Sequence, residues 1–323
     1  MVAIKRSRAS ALLPVPGISG DHRGLSAGIN AMSTDAVPTP EPIAAASAPV
    51  AAATPPRPHV VEFKNVSKTY GEGPRAYTAI KDVTFTVDDR VDHGEFVSIL
   101  GPSGCGKSTI LRMIAGLSPQ FPATSGTVHV FGKPVDGAGS DRGMVFQDYT
   151  SFDHLSVVDN IAFGLECRGV PLAERRAQAL QWIEKVGLNP ATDAMKYPHQ
   201  LSGGMRQRVA IARTLILKPR IILMDEPFGA LDPGTRYAMQ DLLISLWREQ
   251  QATVFFITHS IEEAVYLGDR VLIMSRAPGT ILHQLPMAHS DRPAKEMQRD
   301  PGFIQTVFKV RDIVDELEKP AAA

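Results

Sequence analysis

The sequence predicts an α/β fold in which a largely parallel sheet is flanked by helices. Short apolar runs typical of buried strands occur at residues 95–100, 220–224, 253–257 and 270–274. A stretch with helical character, residues 236–250, separates two of these runs. Alternation of strands and helices along a chain favours a parallel sheet, because each crossover helix returns the chain to the end of the sheet where the previous strand began.

Further elements are predicted in chain order around these strands. Residues 60–66 and 79–87 alternate between apolar and polar side chains, which indicates two half-buried strands. Residues 155–187 are predicted to be helical, with apolar side chains recurring on one face. A further helix is predicted from Gly203 to Leu217, because Pro219 prevents its continuation.

Three segments are predicted along the 323 residues. The first is a disordered N-terminal extension at residues 1–58. The second is a folded domain at residues 59–290, with a helical subdomain at about 149–216. The third is a helical tail at residues 291–323. The extension is predicted because residues 33–58 are rich in Pro, Ala, Ser and Thr and offer almost no large side chains for a core. In the tail, Phe303, Val307, Val310 and Val314 recur at helical spacing, which favours a helix packed on its own domain over a partner-binding device.

Composition narrows the classes of function. Lys plus Arg and Asp plus Glu number 34 each, so no general attraction to a polyanion exists and no nucleic-acid partner is expected. The two cysteines, Cys105 and Cys167, cannot form a disulfide framework and fit a reducing compartment. Apolar stretches such as residues 209–217 fall far short of the ~20 residues of a membrane span. Pro14 and Pro16 interrupt the apolar run that a secretory signal would need.

A glycine-rich loop follows the predicted strand at residues 95–100 and leads into a helix. Its spacing is that of a phosphate-binding loop, in which backbone N–H groups converge on phosphate oxygens at a helix N-terminus; a purely structural glycine turn is the alternative. Lys107 is predicted to reach the β- and γ-phosphates, and the Ser108 hydroxyl to bind Mg²⁺. The predicted nucleotide-binding residues here are Gly101, Pro102, Ser103, Gly104, Cys105, Gly106, Lys107, Ser108 and Thr109.

A second motif is the apolar run Ile221-Ile-Leu-Met, which ends in the carboxylates Asp225 and Glu226. A core strand gains nothing from adjacent acidic side chains, which favours a functional role over simple capping of the turn at Pro227. Asp225 is predicted to hold the magnesium shell, and Glu226 to polarise an attacking water. These two motifs alone fit many nucleotide hydrolases and kinases.

A third motif narrows the choice: Leu201-Ser-Gly-Gly-Met-Arg-Gln-Arg208. It resembles the signature sequence of the ABC transporter ATP-binding family, and the resemblance covers about residues 59–285. Ser202 is predicted to cap the next helix, so that its hydroxyl and the N–H groups of Gly203 and Gly204 face a phosphate. The resemblance implies that this phosphate belongs to ATP held by a second copy. It also implies an ABC-type phosphate-loop ATPase cassette, with a RecA-like core, an antiparallel β edge and a helical subdomain.

Shorter matches occur in the same order as in the family. Tyr70 resembles the aromatic residue that stacks on adenine, and Gln147 resembles the glutamine that contacts magnesium and senses the membrane partner. Asp232, after Leu231, resembles the loop that crosses the dimer interface, and His259 resembles the switch histidine that orients water. Taken alone, Tyr70, Gln147 and His259 are more typical of ordinary core or surface positions. Their shared order makes them informative.

Longer strings within residues 145–148, 197–208, 224–232 and 257–265 resemble the nitrate, sulfonate and taurine branch of bacterial importers. The resemblance implies an ATPase that uses ATP and Mg²⁺, with two catalytic residues, and that works as a pair of identical subunits. It further implies permease subunits as partners, an extracytoplasmic solute-binding protein as an indirect partner, and a peripheral position on the cytoplasmic face of the inner membrane. The catalytic residues implied are Glu226 and His259.

Two other functions remain open. A non-transport ABC ATPase of DNA repair or ribosomes would carry long heptad insertions or tandem cassettes, and neither pattern occurs in the sequence. A regulatory nucleotide-binding module without turnover is disfavoured by the intact Glu226 and His259.

Two departures from the importer branch concern a longer turn at residues 88–95 and the absence of a Pro-Trp pair at residues 151–155. The second departure lies in a segment that the resemblance assigns to the membrane partner.

Overall fold

The computed structural model describes residues 58–90, 93–148, 150–288 and 292–318. Its strands, in chain order, are β1 Val61–Tyr70, β2 Tyr77–Val87, β3 Phe96–Leu100, β4 Ser125–Val130, β5 Lys133–Pro134, β6 Arg142–Val145, β7 Ile221–Asp225, β8 Thr253–Ile257, β9 Arg270–Met274 and β10 Ile281–Pro286. Its helices are α1 Lys107–Ala115, α2 Val157–Cys167, α3 Leu172–Lys185, α4 Pro190–Asp193, α5 Gly203–Leu215, α6 Pro233–Gln250, α7 Ile261–Leu267, α8 Ala294–Met297 and α9 Pro301–Glu318.

The larger sheet has the strand order β10-β9-β3-β8-β7-β6. Neighbouring strands from β9 to β6 are parallel, and β10 joins the edge in the antiparallel direction. Its central strands β3, β7 and β8 are buried along their whole length, as the continuous apolar runs predict. The predicted parallel sheet with helices and an antiparallel β edge is therefore confirmed.

The smaller sheet is antiparallel throughout, with the order β2-β1-β4-β5. Val61 and Phe63 of β1 are buried, in agreement with the alternating sequence pattern, and Val66 is buried after a register shift in the strand. The Phe63 ring stacks on that of Phe85 in β2, with 4.7 Å between the ring centroids. The pairing of β1 with β2 sets Tyr70 directly opposite Tyr77.

Two apolar clusters cover the two faces of the larger sheet. Along β7, Ile222 and Met224 belong to one cluster and Ile221 and Leu223 to the other, because successive side chains of a strand point to opposite faces. The first cluster includes residues of α2, α3, α5, α6, α7, α8 and α9. The second cluster joins the opposite face to α1 and to the smaller sheet.

The helix predicted at residues 155–187 is divided into α2 and α3. Gly169, with a φ of 76°, lies at the break, and Pro171 precedes α3. The N–H groups of Gly169 and Val170 donate to the carbonyls of Glu166 and Leu165, which is the hydrogen-bond pattern of a Schellman motif that ends a helix. The single-helix prediction is wrong here, because it followed the apolar periodicity across a glycine and a proline.

Both chain termini extend beyond the described residues. Most of the predicted N-terminal extension, residues 1–57, lies outside the described ranges, as do residues 319–323 of the predicted tail. Within the tail the chain forms the short α8 and the longer α9, whose Phe303, Val307 and Val310 are buried in the first cluster. No helix in the described ranges combines the length and the apolarity needed to cross a bilayer.

Candidate functional site

Four loops with candidate functional residues lie side by side along the edge of the larger sheet that the carboxyl ends of its parallel strands form. The glycine-rich loop follows β3, His259 follows β8, Glu226 follows β7, and Gln147 follows β6. These four strands are parallel and adjacent in that order, so their carboxyl ends meet at the same edge. Ligands of open parallel sheets bind at this edge.

The glycine-rich loop contains glycines in backbone conformations that other residues rarely adopt. Gly106 has a φ of 98°, and a Cβ added there would lie 2.3 Å from Cγ2 of Ile80. Gly104 also has a positive φ, of 76°, so both positions favour glycine. No side chain in the described part of the chain caps α1, which begins at Lys107. The first N–H groups of α1 are therefore available to an anion.

The Lys107 side chain lies across this loop. Its residue is 5% exposed, and its Nζ donates to the carbonyls of Gly101 at 2.8 Å and Pro102 at 3.1 Å. A buried ammonium group needs such partners to offset the loss of hydration. Phosphate oxygens at the loop would supply stronger, charge-assisted bonds to the same ammonium.

Ser108 and Asp225 form a pair of oxygen ligands beneath the loop. Ser108 Oγ donates to Asp225 Oδ1 at 2.8 Å, and Arg112 Nη2 lies 3.7 Å from Asp225 Oδ2. Hydroxyl and carboxylate oxygens are the ligand types that Mg²⁺ prefers, so these residues fit that ion. Within the described ranges no group of three or more His, Cys, Asp or Glu side chains could hold a metal alone. Magnesium at this pair would thus depend on oxygens of a bound nucleotide and of water.

Glu226 contacts both of the other candidate residues at this edge. Its Oε1 lies 2.5 Å from His259 Nε2, and its Oε2 accepts from Gln147 Nε2 at 3.4 Å. The Glu226 backbone has a φ of 47°, and its N–H donates to the Ile257 carbonyl at 3.1 Å. A positive φ at a residue other than glycine is uncommon and costs backbone strain, so the surrounding contacts must hold Glu226 in this conformation.

These residues border one cleft of 530 Å³, within the range of small-molecule sites. The predicted site residues that line it are Tyr70, Ser103, Gly104, Gly106, Lys107, Ser108, Thr109, Gln147, Glu226 and His259. In the described part of the chain, the cleft is not lined by three other residues of the same loop, Gly101, Pro102 and Cys105. Asp225 does not line it either, but contacts the lining residue Ser108. The structure thus brings together most of the residues that the sequence predicts for a nucleotide site.

Two aromatic residues border the cleft at the end of the smaller sheet. Tyr70 Oη lies 3.5 Å from Thr109 Oγ1, and the Tyr77 hydroxyl donates to the Gly104 carbonyl at 3.1 Å. Sequence reasoning missed Tyr77 and Gln120, which also line the cleft. The predicted strands end at residue 66 and begin again at residue 79, so the observed pairing of Tyr70 with Tyr77 lies outside both predictions.

Gly279 supports the glycine-rich loop from behind. A Cβ added at Gly279 would lie 1.9 Å from the Cys105 carbonyl oxygen. The Gly279 N–H donates to the Ala79 carbonyl, and its own carbonyl accepts from Lys81, both at 2.9 Å. Sequence reasoning gave Gly279 no role at the site. Cys105 itself is fully buried, and burial raises the pKa of its thiol, so this cysteine is a packing residue of the loop.

The remaining predicted site residues lie on a second surface. Ser202, Gly203, Gly204 and Asp232 do not line the cleft in the described part of the chain. Ser202 is exposed and its Oγ accepts from the Met205 N–H at 3.3 Å, which caps α5. A Cβ added at Gly204 would lie 2.8 Å from Cγ2 of Thr235 in the first turn of α6. The starts of α5 and α6 are therefore neighbours.

Asp232 caps α6 on this second surface. Its Oδ1 accepts from the Thr235 N–H at 3.0 Å. Hydrogen bonds from the side chain and the backbone of Thr235 lower the pKa of the Asp232 carboxyl. The capped starts of α5 and α6 present two helix N-termini, which attract anions, at a surface separate from the cleft.

Comparison with known proteins identifies the family of this chain. Residues 80–229 match the family model of the ABC transporter. An uncharacterised ABC transporter ATP-binding protein of Methanocaldococcus jannaschii is 48% identical over 221 residues, which cover 68% of this chain and 79% of the relative. A taurine import ATP-binding protein of Rhizobium johnstonii is 44% identical, over 76% of this chain and 92% of the relative. A nitrate import ATP-binding protein of Synechocystis is 41% identical, over 80% and 94%.

Solved structures point to the same family. The chain is similar to the dimeric structure of the ATP-binding cassette MJ0796 in a post-hydrolysis state bound to ADP and Pi. The TM-score is 0.61 at 34% sequence identity, and the match covers 71% of this chain and 99% of that cassette. Given the identity and coverage of these relatives, this chain belongs to the ATP-binding proteins of the ABC transporter family.

Proposed function

We propose that this chain is the ATP-hydrolysing subunit that energises an ABC importer, binding ATP with Mg²⁺ in the cleft of one copy and completing each site with a second copy. The observation that carries the proposal is the convergence of three parts on one cleft. They are the glycine-rich loop, the Ser108–Asp225 pair and the contact of Glu226 with His259 and Gln147.

Within the cleft, each predicted residue has a role that fits its position. Tyr70 offers an aromatic face to the adenine base, with Tyr77 beside it. The N–H groups of the loop and the Lys107 ammonium would bind the phosphates. Ser108, Asp225 and Gln147 would hold the magnesium ion, which neutralises the charge that develops on the transferred phosphoryl group.

Hydrolysis requires an attacking water in line with the bond to be broken. The Glu226 carboxylate would accept a proton from this water as its oxygen forms a bond to the γ-phosphorus, while the bond from that phosphorus to the leaving oxygen breaks. His259 touches the same carboxylate at 2.5 Å, so its imidazole is placed to orient the water and to bond a γ-phosphate oxygen. The protein contributes positioning and electrostatic stabilisation.

A second copy would supply the part of the site that the cleft lacks. Ser202, Gly203 and Gly204 are turned to a separate surface in one chain, next to the helix that Asp232 caps. Their helix N-terminus is suited to the γ-phosphate held by the partner copy. The similar cassette MJ0796 is dimeric with ADP and Pi bound, which supports a pair of chains, and we propose that the pair is head-to-tail and made of identical chains.

The names of two relatives support an import function. They are a taurine import and a nitrate import ATP-binding protein, so a small anionic or zwitterionic solute such as taurine, a sulfonate or nitrate is the proposed cargo. The proposed partners are permease subunits, and indirectly an extracytoplasmic solute-binding protein. The proposed location is peripheral, at the cytoplasmic face of the cell membrane. A nucleic-acid partner is not part of the proposal.

Glu226→Gln tests the proposal. We expect ATP hydrolysis by the full chain, assayed with and without its permease as phosphate release, to fall about 10²–10⁴-fold, the usual scale for loss of a general base. ATP binding should persist, and the variant loaded with ATP and Mg²⁺ should form pairs in analytical ultracentrifugation. Near-normal turnover would remove Glu226 from its role. A strictly monomeric loaded variant, even beside the permease, would contradict the composite site.

A further inference from the structure

Glu263 is a buried acid for which the proposed chemistry has no use. It lies on α7, four residues after His259, and is 5% exposed. Burial raises the pKa of its carboxyl, although Thr258, Arg236 and Gln240 oppose that effect. A buried carboxylate is costly unless it is well bonded, so the partners of Glu263 indicate what it does.

Three side chains from two segments surround this carboxylate. Its Oε2 accepts from Thr258 Oγ1 at 2.5 Å, and its Oε1 accepts from Gln240 Nε2 at 3.2 Å. Arg236 Nε lies 3.5 Å from Oε1, an ion-pair distance too long for a good hydrogen bond. Thr258 belongs to the His259 loop, while Arg236 and Gln240 lie on α6. The carboxylate therefore joins the His259 loop to α6.

On the loop side, Glu263 fixes the backbone on both sides of His259. The Thr258 hydroxyl donates its one hydrogen bond to the Glu263 carboxylate and accepts a hydrogen bond from the Ser260 N–H at 3.0 Å. Ser260 Oγ accepts in turn from the Glu263 N–H at 3.2 Å, which caps α7. Thr258, Ser260 and Glu263 thus form a closed ring of hydrogen bonds, from which the half-exposed His259 side chain projects to Glu226.

On the α6 side, the same carboxylate reaches the segment that holds Asp232. Arg236, its ion-pair partner, donates through Nη2 to the Leu231 carbonyl at 3.0 Å. Leu231 directly precedes Asp232, the residue that caps α6. One chain of polar contacts therefore runs from the His259 loop through Glu263 and Arg236 to the proposed interface with the second copy.

We propose that Glu263 is a positioning residue, which sets the place of the His259 imidazole against Glu226. The inference rests on the proposed ATP hydrolysis and assigns a role to a residue outside the cleft. A misplaced catalytic group can cost about a hundredfold in rate without a change in its chemistry. Glu263 would act only through His259, and this dependence makes the proposal testable.

The test measures ATP hydrolysis by the full chain carrying Glu263→Gln, with and without His259→Ala. In the otherwise unmodified chain we expect kcat to fall about ten- to a hundredfold while KM for ATP stays within about twofold. In the His259→Ala background the same change should lower kcat by less than about twofold, because residues that act as a unit are not additive. An equal fold-loss in both backgrounds, or unchanged kcat in folded Glu263→Gln, would overturn the proposal.

Two control sets keep the result interpretable. Glu95 is also a buried carboxylate, paired with Arg270 and Arg90 at 2.9 and 3.1 Å, so Glu95→Gln matches the chemical change away from the His259 loop. We expect its kcat to stay within about twofold of the unmodified chain. A Glu95→Gln loss as large as that of Glu263→Gln would overturn the specific role of Glu263.

Should Glu263→Gln not fold, Thr258→Val and Thr258→Ser replace it. Serine keeps the hydroxyl that bonds the carboxylate and valine removes it, so kcat should fall with valine and be retained with serine. Equal kcat in the two variants would overturn the proposal. If the unmodified chain with its permease hydrolysed no ATP, the proposed function would fail first, whereas normal hydrolysis with a neutral Glu263→Gln would remove the inference alone.

Discussion

The helices α1 and α5 both begin at a segment predicted to bind phosphate, but their first turns are built differently. α1 follows Gly106, whose positive φ and close contact with Ile80 hold the loop against the smaller sheet, and no side chain in the described residues caps it. α5 follows Ser202, whose hydroxyl caps the helix at an exposed surface.

The difference separates two steps of the proposed cycle. An uncapped helix start keeps its N–H groups free for an anion, so the loop before α1 is specialised for binding nucleotide within one chain. A capped start needs no ligand for its stability, so α5 can remain at the surface until a second copy presents its nucleotide. ATP binding and closure of the pair should therefore be separable by mutation.

The largest effect should come from Gly106→Ala, which disables the first of the two helix starts. An added Cβ would lie 2.3 Å from Cγ2 of Ile80. The φ of 98° at this position would also hold alanine in a left-handed backbone conformation that it rarely adopts. Strain of about 1–3 kcal/mol and overpacking of about 1–3 kcal/mol together predict a loss of ATP affinity of about a hundredfold or more. Binding of a fluorescent ATP analogue measures it.

Gly104→Ala is the matched control for this prediction. Gly104 has a φ of 76°, but an added Cβ meets no atom within 4 Å. Alanine there adds backbone strain without a clash, so the loss of affinity should be clearly smaller. Equal losses in the two variants would show that contact with Ile80 does not shape the loop.

Ser202→Ala should have an intermediate effect and act on the second helix start alone. We expect turnover to fall about ten- to a hundredfold, because a hydrogen bond to a charged group contributes about 1.5–3 kcal/mol. Loss of the cap should lower the free energy of unfolding by about 1 kcal/mol. ATP affinity of the single chain should not change, and a matching loss of affinity would contradict the separation of the two steps.

Mixing the Gly106→Ala and Ser202→Ala chains sharpens the result. In a mixed head-to-tail pair, one of the two sites combines an intact loop with an intact Ser202, while the other carries both defects. Turnover of the mixture should therefore exceed that of either variant alone, measured as phosphate release at fixed total protein. A mixture no more active than its parts would contradict the composite site.

The smallest effect should come from Cys105→Ala, which changes the loop without changing its backbone. The Cys105 side chain is buried beside Gly101 and does not line the cleft in the described part of the chain. We expect kcat and ATP affinity within about threefold, and a melting temperature about 2–4 °C lower for a loss of about 1 kcal/mol. Complete loss of nucleotide binding would contradict this role for Cys105.

Local sequence patterns were sufficient to predict the cleft's main parts. The apolar runs of β3 and β7 place the glycine-rich loop and Glu226 at strand ends, and parallel pairing then brings them to the same edge. By contrast, β6 and β10, the two edge strands of the larger sheet, were missed because most of their side chains are exposed or half-buried, which leaves little apolar signal. Sequence alone thus predicted the centre of the larger sheet better than its edges.

Contacts between distant segments explain the other omissions. Gly279 is constrained by the Cys105 carbonyl, and Glu263 by side chains of α6, so neither role is visible in the local sequence. Ser202 was predicted as a helix cap from its neighbours, and the structure has that cap. Its role toward a second copy stays a prediction, because it depends on an interface between two chains.

The left-handed backbone at Glu226 has a consequence for protein engineering. Glycine adopts this conformation without strain and asparagine with less strain than glutamate, so either residue at position 226 relieves the backbone while it removes the carboxylate. Selection for heat resistance alone would therefore enrich inactive chains at this position. Directed evolution of this protein should pair every thermal challenge with a measurement of phosphate release.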